Sequence, residues 1–360
     1  MDCERGTRRA SRAHERRRAP VTRRVAFAPG RVNLIGDHTD YSGGFACPMA
    51  IDLGTTVTLH TGGSVVTLRS DAEEEAAVVP LDVIDPSSVS PGWARYVAGV
   101  VSCIGPREGG SGGVTSTLPI GAGLSSSASL ELAVAIALGA DRSDPAALAQ
   151  LCQRAEHLAS GVPCGIMDQL VSASGIEGHA LLLDCETLRY TAIPVPDGVE
   201  IVVVHSGEDR SLAGSAYAER RQEVEEAARV LGHPLRGCTV DDLGALTGVT
   251  LRRARHVLTE NARTLAFAAA LGQEDVHAAG ALMSESHLSL RDDFGVSTDG
   301  LDALVRHLSS IPGVLGARLT GAGFGGCVVA LVEADAAAHL AMARSWVVHA
   351  SAGARLISSD

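Results

Sequence analysis

The spacing of apolar positions divides the chain into elements of two periods. Val25–Ala28 and Val32–Ile35 are short apolar runs that read as strands, Thr55–Leu59 and Val65–Leu68 alternate with a period of two, and Val114–Leu118 reads as a further strand. The pattern then changes. Leu130–Leu138 is apolar all round, as in a helix buried against a sheet, and the serines ahead of it mark its start. Pro145–Leu158 and Met167–Ser174 carry helical spacing, Ala180–Leu183 and Ile201–His205 return to strand, and Tyr217–Leu231 and Leu251–Leu271 are long helices. Strands and helices alternate irregularly, which predicts an α+β fold in two lobes. "IPVPDG", Ile193–Gly198, interrupts the pattern with two prolines and a glycine and predicts the boundary, dividing the body into residues 25–195 and 196–360. Residues 1–24 show no apolar periodicity and read as a disordered, Arg-rich leader.

Composition narrows the classes of function. A chain of 360 residues, 46% hydrophobic, can bury one large or two ordinary cores. No apolar run reaches the roughly 18 residues that a membrane span needs. Eight cysteines without a CxxC pair argue against both a disulfide framework and a zinc site, so the thiols read as reduced and mostly core, in a soluble cytoplasmic protein. There is no lysine, and all 30 positive charges are arginine. That removes Walker A nucleotide binding, the protein-kinase fold and Schiff-base chemistry, each of which needs a lysine. Residues 1–24 carry nine Arg and three acids, a net +6, while the remainder is −18. The acidic body argues against a nucleic-acid partner, and Asp2, Glu4 and Glu15 count against a transit peptide.

Four stretches carry candidate chemistry. "GRVNLIGDHTDYSGG", Gly30–Gly44, places Arg31, Asn33, Asp37, His38, Asp40 and Tyr41 among four glycines, a supply of short polar groups on a pliable loop. "LPIGAGLSSSASLELAVAIAL", Leu118–Leu138, runs strand, glycine turn, serines, helix. Its free N–H groups and dipole would cradle an anion without any lysine; an ordinary Ser-capped helix after a glycine turn reads the same way. "AEHLASGVPCGIMDQL" sets Glu156 and Asp168 twelve residues apart across a glycine-proline turn, a spacing that a solvated Glu and a capping Asp would equally give. Gly321–Gly326 in "ARLTGAGFGGCVVALVEAD" matches the dinucleotide pattern GxGxxG, but a strand and not a helix follows it, so it reads as a glycine-rich loop between two strands.

In order and together, these stretches resemble the galactokinase branch of the GHMP small-molecule kinases, over about Val25 to Val332. The resemblance implies a two-lobed fold with the active site between an N-terminal and a C-terminal domain. It also implies transfer of the ATP γ-phosphoryl group, with Mg²⁺, to the anomeric hydroxyl of galactose. By position, Asp168 would take or orient the proton of the sugar O1, and Arg31 would pair with it and stabilise the moving phosphoryl group. Asp37, His38, Asp40 and Gly165 would bind the sugar, with the acids and His38 as acceptors and donors for its hydroxyls. Gly121, Gly123, Leu124, Ser125, Ser126 and Ser127 would cradle the phosphates, Trp93 and Tyr96 would contact the adenine, and Ser127 with Glu156 would hold Mg²⁺. Sugar and ATP would be the partners of a monomer, with neither nucleic acid nor membrane.

The sequence also departs from that pattern. Position 37 is Asp where Glu is usual, Leu251 stands where an aromatic sugar contact is usual, and no helical lead-in precedes Val25. A shorter acid leaves room for an epimer or an extended sugar such as a heptose or octose. A non-catalytic sugar and ATP sensor of the same family would show losses in the serine motif, whereas Ser125 to Ser129 and Asp168 are intact here.

Overall fold

Alternating stretches and short, fully buried apolar runs pair into three sheets. The computed structural model describes residues 21–119, 122–208, 213–340, 342 and 344–360. Its strands are β1 (Arg23–Asn33), β2 (Phe45–Ala46), β3 (Pro48–Thr61), β4 (Val65–Ser70), β5 (Ala77–Pro80), β6 (Gly110–Ser116), β7 (His179–Asp184), β8 (Arg189–Pro194), β9 (Val199–His205), β10 (Val314–Thr320), β11 (Cys327–Glu333), β12 (Ser345–Val348) and β13 (Arg355–Ser359). Its helices are α1 (Ala94–Ile104), α2 (Ser126–Ala137), α3 (Pro145–Ser160), α4 (Met167–Ser174), α5 (Ala213–Leu231), α6 (Gly248–Gly272), α7 (Val276–Ser289) and α8 (Asp299–Ser309). The sheet orders are β13-β1-β3-β6-β4-β5, β10-β11-β9-β12 and β2-β7-β8.

The strands expected at Val25–Ala28 and Val32–Ile35 merge into one strand, β1, which starts two residues before Val25 and ends at Asn33. Its ladder with β3 shifts register between Pro29 and Arg31. Pro29 has no N–H to donate, and at the shift Arg31 gives its N–H to Leu124 O at 3.1 Å. A Cβ on Gly30 would sit 2.6 Å from that same carbonyl, so the glycine permits the approach of the two loops. Residues 1–20 of the leader lie outside the described residues.

Helix α2 buries against the large sheet as its pattern predicts, with Leu132, Val134 and Ile136 in a core shared with α1, α3 and β3. A second core joins the halves: Val32 and Met49 pack in one cluster with Val203, Phe267 and Val329. A third fills the opposite face of the sheet that holds β9 and β11, against α5, α6 and α8. The connection at Ile193–Gly198 links β8 to β9. Strand β13 runs back to pair antiparallel with β1, so a late segment of the chain completes the first sheet. The GxGxxG segment joins antiparallel β10 and β11, with Thr320 opposite Cys327, and no helix follows it. A dinucleotide reading of those glycines is thereby excluded.

Candidate active site

Asp168 opens α4, and the guanidinium of Arg31 on β1 grips it: Nε and Nη2 each donate to the carboxylate at 2.8 Å. The third nitrogen, Nη1, donates to Gly123 O at 2.7 Å, so one arginine ties the catalytic-acid candidate to the glycine-serine loop. Ser125 Oγ also donates to Asp168, at 2.5 Å. Ser125 stands at the N-cap of α2 with φ of 60°, and its side chain makes no capping bond. The Ser-capped reading of this stretch therefore fails. The hydroxyl is spent on Asp168, and among the described residues no side chain caps the first turn of α2, which leaves N–H groups for an anion.

These groups border a cavity of about 380 Å³, with Arg31, Asp37, Asp40, Ser125, Asp168 and Tyr217 on its walls. His38, Gly123, Ser126, Ser127, Glu156 and Gly165 also reach it. A second hollow of about 750 Å³ adjoins it across Ser126 and Ser127, and Trp93, Tyr96 and Leu130 line that one. Ser127 Oγ donates to Glu156 Oε1 at 2.8 Å, and Gln169 Nε2 donates to Glu156 Oε2. Burial and then the neighbouring Asp168 charge push the Glu156 carboxyl above its ordinary range. Glu131, wholly buried on α2, is pushed up further by burial and by Glu156.

On the other wall, Asp40 begins the short turn Asp40–Ser42. Its pKa rises to about 6, through burial first and the charge of Asp168 second. Gly165 faces it so closely that a Cβ would lie 1.6 Å from Asp40 Oδ2. Asp37 is 2% exposed; it accepts from Arg318 Nη2 and, at 3.0 Å, from the N–H of Gly321 on the glycine-rich loop. That loop also takes His38, whose Nε2 lies 3.2 Å from Ala322 O.

Some expectations change here. His38 was expected to bond sugar hydroxyls, but Nε2 meets Ala322 O, Nδ1 meets Tyr41 Oη at 3.2 Å, and the ring lies 4.6 Å from that of Phe294. Burial drops its pKa to about 3, so the ring is neutral and shapes the wall with its nitrogens already engaged. Leu124 turns its side chain into the second core and contributes only its carbonyl, to Arg31. Leu251 packs against the third core, away from the cavity. The aromatic on the cavity wall is instead Tyr217 of α5, a position on a polar helix that nothing in the sequence pattern singled out. Gly121 lies outside the described residues.

Comparison with known proteins bears on this arrangement. Residues 13–61 match a family model described as the galactokinase galactose-binding signature, 95–176 the GHMP kinases N-terminal domain, and 267–346 the GHMP kinases C-terminal domain. The galactokinase of Bos taurus is 46% identical over 333 residues, covering 86% of this chain and 84% of the relative. That of Homo sapiens is 46% identical over 331 residues, covering 87% and 84%. The chain belongs to the galactokinase family. The galactokinase-family signature begins at residue 13, so the likeness reaches into the segment read as a leader. Among solved structures, Lactococcus lactis galactokinase complexed with galactose superposes with a TM-score of 0.84 at 32% identity, covering 92% of this chain and 95% of that one. A mevalonate kinase at 20% identity and a TM-score of 0.64 shares the GHMP fold with this galactokinase-family chain. Among the described residues no helix is long and apolar enough to cross a membrane.

Proposed function

We propose that this chain transfers the γ-phosphoryl group of ATP to the O1 hydroxyl of galactose, giving ADP and α-D-galactose 1-phosphate. The observation that carries the reading is the Arg31–Asp168 pair, set where the cavity beside Asp40 meets the serines ahead of α2. With galactose in that cavity, Asp168 takes or orients the O1 proton as O1 attacks phosphorus. The new O1–P bond forms as the bond to the bridging oxygen breaks, and ADP leaves with that electron pair. Arg31 stabilises the charge on the phosphoryl group in transit. Asp40 accepts sugar hydroxyls, with Asp37 behind it and the His38 and Tyr217 rings shaping the wall. Gly165 leaves the room that Asp40 needs. Gly123, Ser125 and Ser126 cradle the phosphates, and the adenine lies against Trp93 and Tyr96.

The residues at Ser127 and Glu156 fit Mg²⁺: both are oxygen donors, 2.8 Å apart, in a crowd of buried carboxylates whose mutual repulsion a cation relieves. Bound there, Mg²⁺ would neutralise phosphate charge. The test is galactose-dependent formation of ADP from ATP, in the parent and in Asp168→Asn. The parent should turn over galactose, and the variant should lose about 10²- to 10⁴-fold in kcat while still binding ATP. A parent inert toward galactose overturns the reading, and a fully active variant removes Asp168 from the chemistry.

A further inference from the structure

Spacing of the cysteines argued against a metal site, yet the connection between α5 and α6 brings three ligand-type side chains together. His233, Cys238 and Asp242 lie within ten residues, across the tight turn Leu235–Gly237 and into the turn Asp241–Ala245. Their donor atoms all lie within 4.8 Å of one another, with Cys238 Sγ and His233 Nδ1 3.9 Å apart. Among the described residues no other such trio converges as closely. We propose that His233, Cys238 and Asp242 bind a borderline-soft divalent cation of the zinc type, at a site separate from the catalytic one.

The chemistry of the set favours that class of ion. One thiolate, one imidazole and one carboxylate are zinc ligands, whereas magnesium and calcium take oxygen. With Zn–S near 2.3 Å and Zn–N or Zn–O near 2.0 to 2.2 Å, tetrahedral ligand atoms stand roughly 3.4 to 3.6 Å apart. The Sγ to Nδ1 distance thus needs to close by only about 0.3 to 0.5 Å. Asp242 is already aimed: its Oδ2 accepts from Thr239 N at 2.7 Å and Thr239 Oγ1 at 2.8 Å, the supporting bonds that ligating carboxylates use. Those bonds also hold its carboxyl below the ordinary range, so it is ionised at neutral pH.

His233 would ligate through Nδ1, which now lies 3.2 Å from Pro234 O, so binding shifts the ring proton from Nδ1 to Nε2. Burial, and next Asp242, push the Cys238 thiol up, so the cation-free protein holds Cys238 as a thiol. Binding an ion therefore releases one proton from Sγ, and the thiolate lone pair makes the new bond. Three protein ligands leave the fourth position for water. His233 also stands on the rim of a surface hollow of about 560 Å³, a route in from solvent.

Cobalt(II) reports such a site without reference to catalysis. Titrated into chelator-treated full-length protein, Co²⁺ should give a thiolate-to-cobalt charge-transfer band that saturates at one equivalent and is displaced by Zn²⁺, with about one proton released per ion. The band should vanish in Cys238→Ser, survive Cys164→Ser, and need at least about tenfold more Co²⁺ in His233→Ala. Cys164 is the control because its thiol lies 3.7 Å from Glu156, where an ion at the catalytic site would meet it. Circular dichroism and thermal melting show that each variant has folded, and His233→Ala carries the test if Cys238→Ser does not fold. Absence of the band, its persistence in Cys238→Ser, its loss in Cys164→Ser, or unchanged Co²⁺ affinity in His233→Ala overturns the proposal.

Discussion

Arg318 is wholly buried, and its partner in the loop that opens the cavity is Asp37. An aspartate where glutamate is usual suggests spare room in the sugar site, but this carboxylate is occupied by Arg318 and by the Gly321 N–H. Asp37→Ala would leave the buried Arg318 guanidinium with only the longer contact to Glu260, at 3.9 Å. It should therefore destabilise the fold by about 3 to 5 kcal/mol, read by urea unfolding, beyond any effect on sugar binding. Loss of galactose affinity at parental stability would make Asp37 a pure substrate contact. Burial and then the charge of Asp168 lift the pKa of Asp40 to about 6. Below that value it gains a proton and loses its acceptor charge, so kcat/KM for galactose should fall about tenfold per pH unit on the acid side of pH 6. In Asp40→Asn the remaining activity should show no inflection there; a profile with the parental acid limb would assign the limb to another group.

At the scale of elements, the N-terminus of α2 decides between a capped helix and an anion cradle. Because Ser125 bonds Asp168 and not the helix, Ser125→Ala should lower kcat while costing less than the roughly 1 kcal/mol of a lost N-cap. Thermal unfolding beside steady-state kinetics checks it, and a full cap penalty with unchanged kcat would reverse the assignment. Elements whose apolar pattern matches their surroundings were legible in the sequence: Met167–Ser174 is α4 residue for residue, and the largely apolar run of α2 is buried as expected. Helix α1 was not legible, since valines and a mid-helix glycine weaken its propensity. It is held by packing on α3, where a Cβ on Gly99 would come 2.3 Å from Ala155 O. Strands β5, β8, β12 and β13 were invisible for a related reason: they are short, and pairing partners far away in sequence define them. The same limit applies in the site. Motif positions such as Arg31 and Asp168 were readable, but the partner that takes up His38 is the carbonyl of Ala322, 284 residues away. Tyr217 reaches the cavity only through the docking of α5.

In the whole molecule, β13 binds the last described residues to the first: Arg24 stands opposite Ser359 and Phe27 opposite Arg355, and Arg23 exchanges backbone bonds with Asp360. Deleting residues 355–360 should lower Tm and raise light scattering on warming, since each ladder bond lost is worth about 1 kcal/mol and β1 would then present an open edge. Unchanged melting and no added aggregation would show the strand to be ornamental. The same closure sets an order of events on the ribosome. More than 300 residues separate β1 from β13, so a nascent chain carries β1 with one flank unpaired until synthesis has passed the final strand. Ribosome-held chains halted before residue 355 should therefore be cut by protease near β1, whereas chains in which residue 360 has cleared the ribosome should resist it.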